Sequence, residues 1–133
     1  MKTLQAISAV VLIATAGFAI HVMQAQQSGV MHTDVLQHDL GIPGREVIQV
    51  RFDFAPGAAF GFHSHPGVEV AYVLEGTLEY QLGGKPPVTL NTGQALFIPA
   101  GAFHAAKNVS SVNAVELVTY IVEKGQPLVV LAN

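Results

Sequence analysis

The sequence predicts an all-β domain with antiparallel strands, and three observations support this prediction. From Glu46 onward, short runs of β-branched and aromatic residues follow one another at close intervals. Glycine and proline residues separate these runs. The same region has no long helical period of apolar residues. Strands at this spacing form a sandwich or a barrel, and 133 residues allow at most one compact domain.

Each strand follows from a local pattern. In residues 46–54, apolar residues occupy every second position, which predicts a strand with one buried and one solvated face. The turn sequence Gly-Gly-Lys-Pro-Pro at 83–87 predicts a hairpin. An apolar run at 128–131 predicts a final edge strand. The remaining strand signals lie at 68–74, 77–82, 88–90, 95–98 and 115–122.

Composition excludes several classes of partner and site. Six Lys and Arg stand against nine Asp and Glu, and the positive charges form no run that could follow a phosphate backbone. We therefore expect no nucleic-acid partner. The chain has no cysteine, so a disulfide framework and a thiolate metal site are both excluded. Any metal ion must be held by imidazole and carboxylate groups.

The N-terminal segment, residues 1–25, has the layout of an export signal. Lys2 precedes an apolar stretch at 4–20, and small residues follow near Ala25. Cleavage after Ala25 would put Met23 where a small residue is preferred, and cleavage after Ala19 is the alternative. Residues 4–23 also approach the roughly 20 residues that span a bilayer. The segment is thus a signal peptide or a membrane anchor, and we expect a periplasmic, secreted or membrane-anchored protein.

The candidate metal ligands are His63, His65, Glu69 and His104. On an extended strand His63 and His65 face the same side, and Glu69 keeps their parity. His104 lies far enough along the chain for a return strand to bring it opposite. By itself, a His-x-His pair is more often a chance or surface pair. The full set of three imidazoles and one carboxylate suits one divalent ion of Fe, Mn, Ni, Cu or Zn and leaves coordination positions open.

Two longer motifs contain these residues. From Gly57 to Gly76 the chain has Gly, five residues, His-x-His, three residues, Glu, six residues and Gly. From Gly93 to Asn108 it has Gly, five residues, Pro-x-Gly, two residues, His, three residues and Asn. These patterns resemble the two motifs of the cupin family, and the 16 residues between them match the short spacing of small microbial cupins.

The resemblance implies a fold, a ligand set and an oligomeric state. It implies a cupin jelly-roll β-barrel at 45–124. Outside that range, the residues themselves predict an N-terminal extension or edge strand at 26–44 and a C-terminal edge strand at 125–133. The family's metal ligands fall on His63, His65, Glu69 and His104, and all four are retained. Small cupins usually dimerise, so we expect a homodimer.

The resemblance leaves two function classes open. A complete ligand set favours a metal-dependent enzyme acting on a small molecule, with Glu69 as the residue whose charge turnover requires. The aromatic composition and the few cations favour a dioxygenase or oxidase, most of all a quercetinase-like one. The alternative is a non-catalytic module that binds a metal or a small molecule.

Seven further residues carry weaker expectations. Glu116 and Tyr120 could act as acid or base groups, but a surface Glu and a hydrogen-bonded core Tyr are the ordinary interpretation. Phe60, Phe97 and Phe103 are candidates for an apolar pocket beside the metal. The two histidines before the barrel, His32 and His38, have no evident partner and are expected to be exposed.

Overall fold

The computed structural model describes residues 28–133, which form ten β-strands and no helix. The predicted signal or anchor segment lies outside these residues. Within the described range, no helix is long and apolar enough to cross a membrane. The strands are β1 Val30–Asp39, β2 Arg45–Phe54, β3 Ala59–Ser64, β4 Gly67–Glu75, β5 Thr77–Leu82, β6 Val88–Asn91, β7 Ala95–Ile98, β8 His104–Lys107, β9 Ala114–Glu123 and β10 Val130–Leu131.

The strands lie in two antiparallel sheets of five, which confirms the all-β prediction. The first sheet has the order β1-β2-β9-β4-β7, and the second has the order β10-β3-β8-β5-β6. Neighbouring strands in each sheet are mostly distant in sequence, so the chain passes repeatedly from one sheet to the other. The two halves of each sequence motif are thereby divided between two sheets.

The core lies between the sheets and is made by alternate residues of each strand. In β2, every second residue from Ile48 to Phe54 is buried, as the period of two requires. The long central strand β9 shows the same alternation from Glu116 to Val122 and pairs with β2 on one side and β4 on the other. Leu78 and Tyr80 of the second sheet close the core from the opposite side.

Asn108, the last residue of the second motif, joins the loop after β2 to the loop before β9. Its amide nitrogen donates to the backbone oxygens of Phe54, Ala55 and Val112. Its side-chain oxygen accepts from the backbone nitrogen and the hydroxyl of Ser110. The side chain is fully buried. A buried amide with all these bonds made is stabilising, whereas its loss would leave several backbone groups without partners.

The first strand, β1, is an edge strand with little of its own surface buried. It pairs with β2 along its whole length, with an irregularity between Asp34 and Leu36. Eight of its ten residues are exposed. The exposed residues include Met31 and Val35, which are apolar. A long strand that is open on both faces is a surface that a further chain could cover.

Gly67 begins β4 at a point where no side chain fits. A Cβ at this position would lie 2.0 Å from the carbonyl oxygen of Ile121 in β9. We expect Gly67→Ala to lower the free energy of unfolding by about 3 kcal/mol, as measured by denaturant unfolding. The control is Gly83→Ala, where the nearest atom is the Phe103 carbonyl oxygen at 3.4 Å. Similar losses in both variants would contradict this explanation.

Candidate metal centre

The four predicted ligands come from both sheets. His63 in β3 and His104 in β8 are directly opposite each other in the second sheet. His65 follows the end of β3, and Glu69 lies in β4 of the first sheet. The parity argument for Glu69 is therefore wrong, because the chain leaves one sheet at Ser64 and enters the other two residues after His65. Glu69 meets the histidines because the two sheets face each other.

The four side chains converge at one point. One ligand atom from each residue can be chosen so that all four lie within 4.8 Å of one another. All four residues are buried. Around them, the imidazole rings of His63 and His104 have centroids 4.3 Å apart, and Tyr120 packs against His65 at 4.6 Å. This is the geometry of a compact donor set that could hold one ion.

Backbone carbonyls hold the three imidazoles at their Nδ1 atoms. His63 Nδ1 lies 2.7 Å from the Gly61 oxygen, and His104 Nδ1 lies 3.0 Å from the Ala102 oxygen. His65 Nδ1 lies 2.6 Å from the oxygen of Leu128, which is 63 residues further along the chain. A carbonyl oxygen can only accept, so each Nδ1 carries the proton. In the neutral rings each Nε2 then presents a lone pair, as metal-ligating histidines do.

These lone pairs meet a carboxylate oxygen. His65 Nε2 and His104 Nε2 lie 2.9 Å and 3.0 Å from Oε2 of Glu69. All three atoms are buried, and none has a hydrogen-bond partner among residues 28–133. Two lone pairs facing an anionic oxygen at this distance repel unless a positive charge lies between them. The arrangement therefore fits a divalent metal ion.

The pKa shifts of the cluster residues indicate a site that favours a bound positive charge. Burial alone would raise the pKa of Glu69, but His104 and His65, when they carry a proton on Nε2, lower that pKa to about 2. Burial, helped by the charge of His104, lowers the pKa of His63 to about 4. Burial also opposes the charge on His104, yet Glu69 raises the pKa of His104 above its ordinary value. At neutral pH Glu69 is thus an anion and His63 is a neutral donor, a combination suited to a divalent transition metal.

A pocket adjoins the cluster, and its lining differs in part from the sequence prediction. Phe60 lines it as expected. Phe97 and Phe103 are instead 58% and 44% exposed and do not line the pocket, so their predicted place in it is wrong. The pocket leaves room for about one water molecule. Its lining residues are Phe52, Phe54, Phe60, His63, Glu69, Tyr80, His104, Ala106, Glu116 and Tyr120.

Glu116 is the functional candidate that the sequence interpretation placed wrongly. It is buried in the pocket wall, not exposed on the surface, and it accepts a hydrogen bond from the Tyr80 hydroxyl. Its position could have been found from parity, because Glu116 alternates in phase with the inward residues Val118 and Tyr120 of β9. His32 and His38 are exposed and do not belong to the cluster.

The comparisons with known proteins agree with this arrangement. The Cupin domain family profile matches residues 50–129. Dimethylsulfoniopropionate lyase DddQ of Ruegeria pomeroyi is 37% identical over 51 residues, which are 38% of this chain and 25% of that protein. A germin-like protein of Morus alba is 31% identical over 85 residues, which are 60% of this chain and 41% of that protein. The chain thus spans less than half the length of these relatives.

A solved structure has a similar fold. The crystal structure of TT1209 from Thermus thermophilus superposes with a TM-score of 0.60 at 30% identity. The superposition covers 72% of this chain and 85% of that one.

The purified protein is expected to contain about one transition-metal ion per chain, because the four donors converge on one point. His63→Ala, His65→Ala and His104→Ala should each lower the metal content strongly, as measured by elemental analysis. His32→Ala and His38→Ala are matched controls outside the cluster and should keep the wild-type content. Wild-type metal content in all three cluster variants, or metal loss in the controls, would disprove the site.

Proposed function

The chain belongs to the cupin domain family, and we propose that it is a metal-dependent enzyme acting on a small molecule. The observation that carries this proposal is the group of buried donor atoms that find no hydrogen-bond partner within residues 28–133, beside a pocket that Glu116 and Tyr120 also line. A site that only stabilised the fold would have no need of an adjoining pocket. Pockets with perturbed titratable groups are typical of catalytic sites.

The chain's own residues have distinct roles in this proposal. His63, His65 and His104 would supply neutral nitrogen donors, and Glu69 would supply the anionic charge. The bound ion, of Fe, Mn, Ni, Cu or Zn, would polarise a ligand oxygen or activate O₂. The aromatic wall would exclude bulk water from the ligand. Glu69 is the residue on which we expect turnover to depend most, since it carries the only negative charge of the donor set.

We favour a dioxygenase or oxidase, of which a quercetinase-like enzyme is the leading example. Five Phe and Tyr rings line the pocket, and no Lys or Arg lines it in the described part of the chain, which suits a small and partly apolar or phenolic substrate. Since the pocket has room for about one water molecule, the surrounding side chains would have to move to admit such a substrate. The second candidate is a lyase that uses the metal without redox chemistry, and the similarity to dimethylsulfoniopropionate lyase supports it. The remaining alternative is a binding module without catalysis.

These candidates are separated by one set of assays on protein loaded with Fe²⁺, Mn²⁺, Ni²⁺, Cu²⁺ or Zn²⁺. An oxygenase consumes O₂ with small phenols or diketones and is inactive with Zn²⁺. A lyase consumes dimethylsulfoniopropionate under anaerobic conditions. Glu69→Gln should lower turnover at least tenfold while changing the free energy of unfolding by less than about 1 kcal/mol. Metal-loaded protein that turns over neither class, yet binds phenols, would support the binding module.

We also propose that the protein is exported and that it forms a homodimer. Export rests on the N-terminal layout of residues 1–25 alone. The dimer rests on the outer face of the first sheet, where exposed apolar side chains extend from one edge to the other. These residues are Leu36, Val70, Tyr72, Phe97 and Ile121. A second copy of the chain would cover this face and the open strand β1, and symmetric pairing is the commonest way to bury such a surface.

Sedimentation tests the dimer at micromolar concentration. We expect the wild type to sediment as a dimer and Phe97→Glu to sediment as a monomer, because a charge would be buried at the apolar face. Phe62→Glu is the matched control, since Phe62 is exposed on the second sheet and should leave the dimer intact. A monomeric wild type would remove the proposal.

A further inference from the structure

Glu116 and Tyr80 form a buried carboxyl and phenol pair at the wall of the metal-site pocket. The Tyr80 hydroxyl donates a hydrogen bond to the Glu116 carboxyl. Both side chains are buried, and both line the same pocket as His63 and Glu69. The two residues come from different sheets, since Glu116 lies in β9 and Tyr80 in β5. The metal ligand set does not use either of them.

We propose that this pair is the proton donor of the pocket, a proposal that rests on the metal-dependent function proposed above. The Glu116 carboxyl gives its proton, through water in the pocket, to an oxygen atom of a ligand held at the metal cluster. One carboxyl O–H bond breaks and one O–H bond forms on the ligand. The carboxylate that remains keeps the hydrogen bond from Tyr80 and is later protonated again by solvent.

The position of Glu116 explains why water must carry the proton. Glu116 is opposite Val73 in β4, four residues beyond Glu69. The two backbone positions are therefore about 13 Å apart along the strand, and both side chains reach into the pocket from there. Because the two positions are this far apart and the pocket has room for about one water molecule, we assign the transfer of the proton to a water molecule in the pocket.

The surroundings of Glu116 keep it protonated at neutral pH. Burial raises the pKa of Glu116 to about 8, with a further rise from the charge of Glu69, although the hydrogen bond from Tyr80 acts in the opposite direction. The neighbouring β2 strand contributes only the apolar Phe52 at this register position. No cationic Lys or Arg from residues 28–133 lines the pocket. The other titratable groups of the pocket are Glu69, Tyr80, Tyr120, His63 and His104.

Infrared spectroscopy tests whether the acid is protonated, with and without metal. At pH 7 we expect the carbonyl band of a protonated carboxyl group, which shifts in D₂O and is missing in Glu116→Gln. Glu75→Gln, at an exposed position of β4, is the matched control and should keep the band. A wild-type protein without this band at pH 7 would overturn the proposal, whatever the metal content.

Acetate binding to the Co²⁺-loaded protein tests whether the acid acts on a ligand at the cluster. Since a group with a pKa of about 8 loses most of its proton between pH 7 and 9, acetate affinity should fall about tenfold more in the wild type than in Glu116→Gln over that range. In Tyr80→Phe the midpoint should move to higher pH, because the hydrogen bond that lowers the Glu116 pKa is lost.

Two outcomes separate this proposal from the function on which it rests. Normal Co²⁺ binding with the same pH dependence in the wild type and Glu116→Gln would overturn the proton donor alone. A chain that binds no Co²⁺ at the cluster would remove the metal-dependent function, and the proton donor with it.

Discussion

Each imidazole of the cluster is held at Nδ1 by a backbone carbonyl, and the other features of the site depend on this restraint. With Nδ1 protonated, the Nε2 atoms of His65 and His104 direct lone pairs at Glu69 from about 3 Å. The carboxylate and the imidazoles then require a positive charge among them. A metal ion satisfies all these atoms at once, whereas protonating one histidine satisfies only part of the set.

The restraint is supplied in part by segments that contain no ligand. The carbonyl that holds His65 belongs to Leu128, in the segment between β9 and β10. The backbone nitrogen of Gly101 donates to the His65 carbonyl oxygen, which joins the turn of the second motif to the first. The glycine and the C-terminal segment therefore help to fix the position of His65, and their contribution to the site is positional.

The pocket contains two buried carboxyl groups whose environments move their pKa values in opposite directions. The pKa of Glu69 is lowered to about 2 because burial is outweighed by the histidines beside it. The pKa of Glu116 is raised to about 8 because burial has only the Tyr80 hydroxyl to oppose it. At neutral pH one of the two acids is thus an anion and the other is protonated, and such a separation allows a single site to contain both a charged donor and a neutral acid.

The sequence by itself determined the all-β class, the positions of most strands and the identity of the four converging residues, whereas the bounds of β3 and β8 came from the structure. Alternation in residues 46–54 reports burial directly, because a strand turns successive side chains to opposite faces. The spacing of the two motifs brought His63, His65, Glu69 and His104 together as one set. Strand alternation is a local pattern and the motifs have fixed spacings, so both can be recognised from the sequence alone.

Only the tertiary structure decided how those residues meet and what surrounds them. Parity within one strand could not show that Glu69 belongs to the opposite sheet, because that depends on where the chain crosses after Ser64. The hydrogen bond from His65 to the Leu128 carbonyl joins residues 63 positions apart. Likewise, Glu116 is buried against Tyr80 of the other sheet. The first contact follows from the pairing of β10 with β3 and the second from the packing of the two sheets. Strand parity can show that Glu116 faces inward, but no local pattern in the chain identifies the partner that either residue meets.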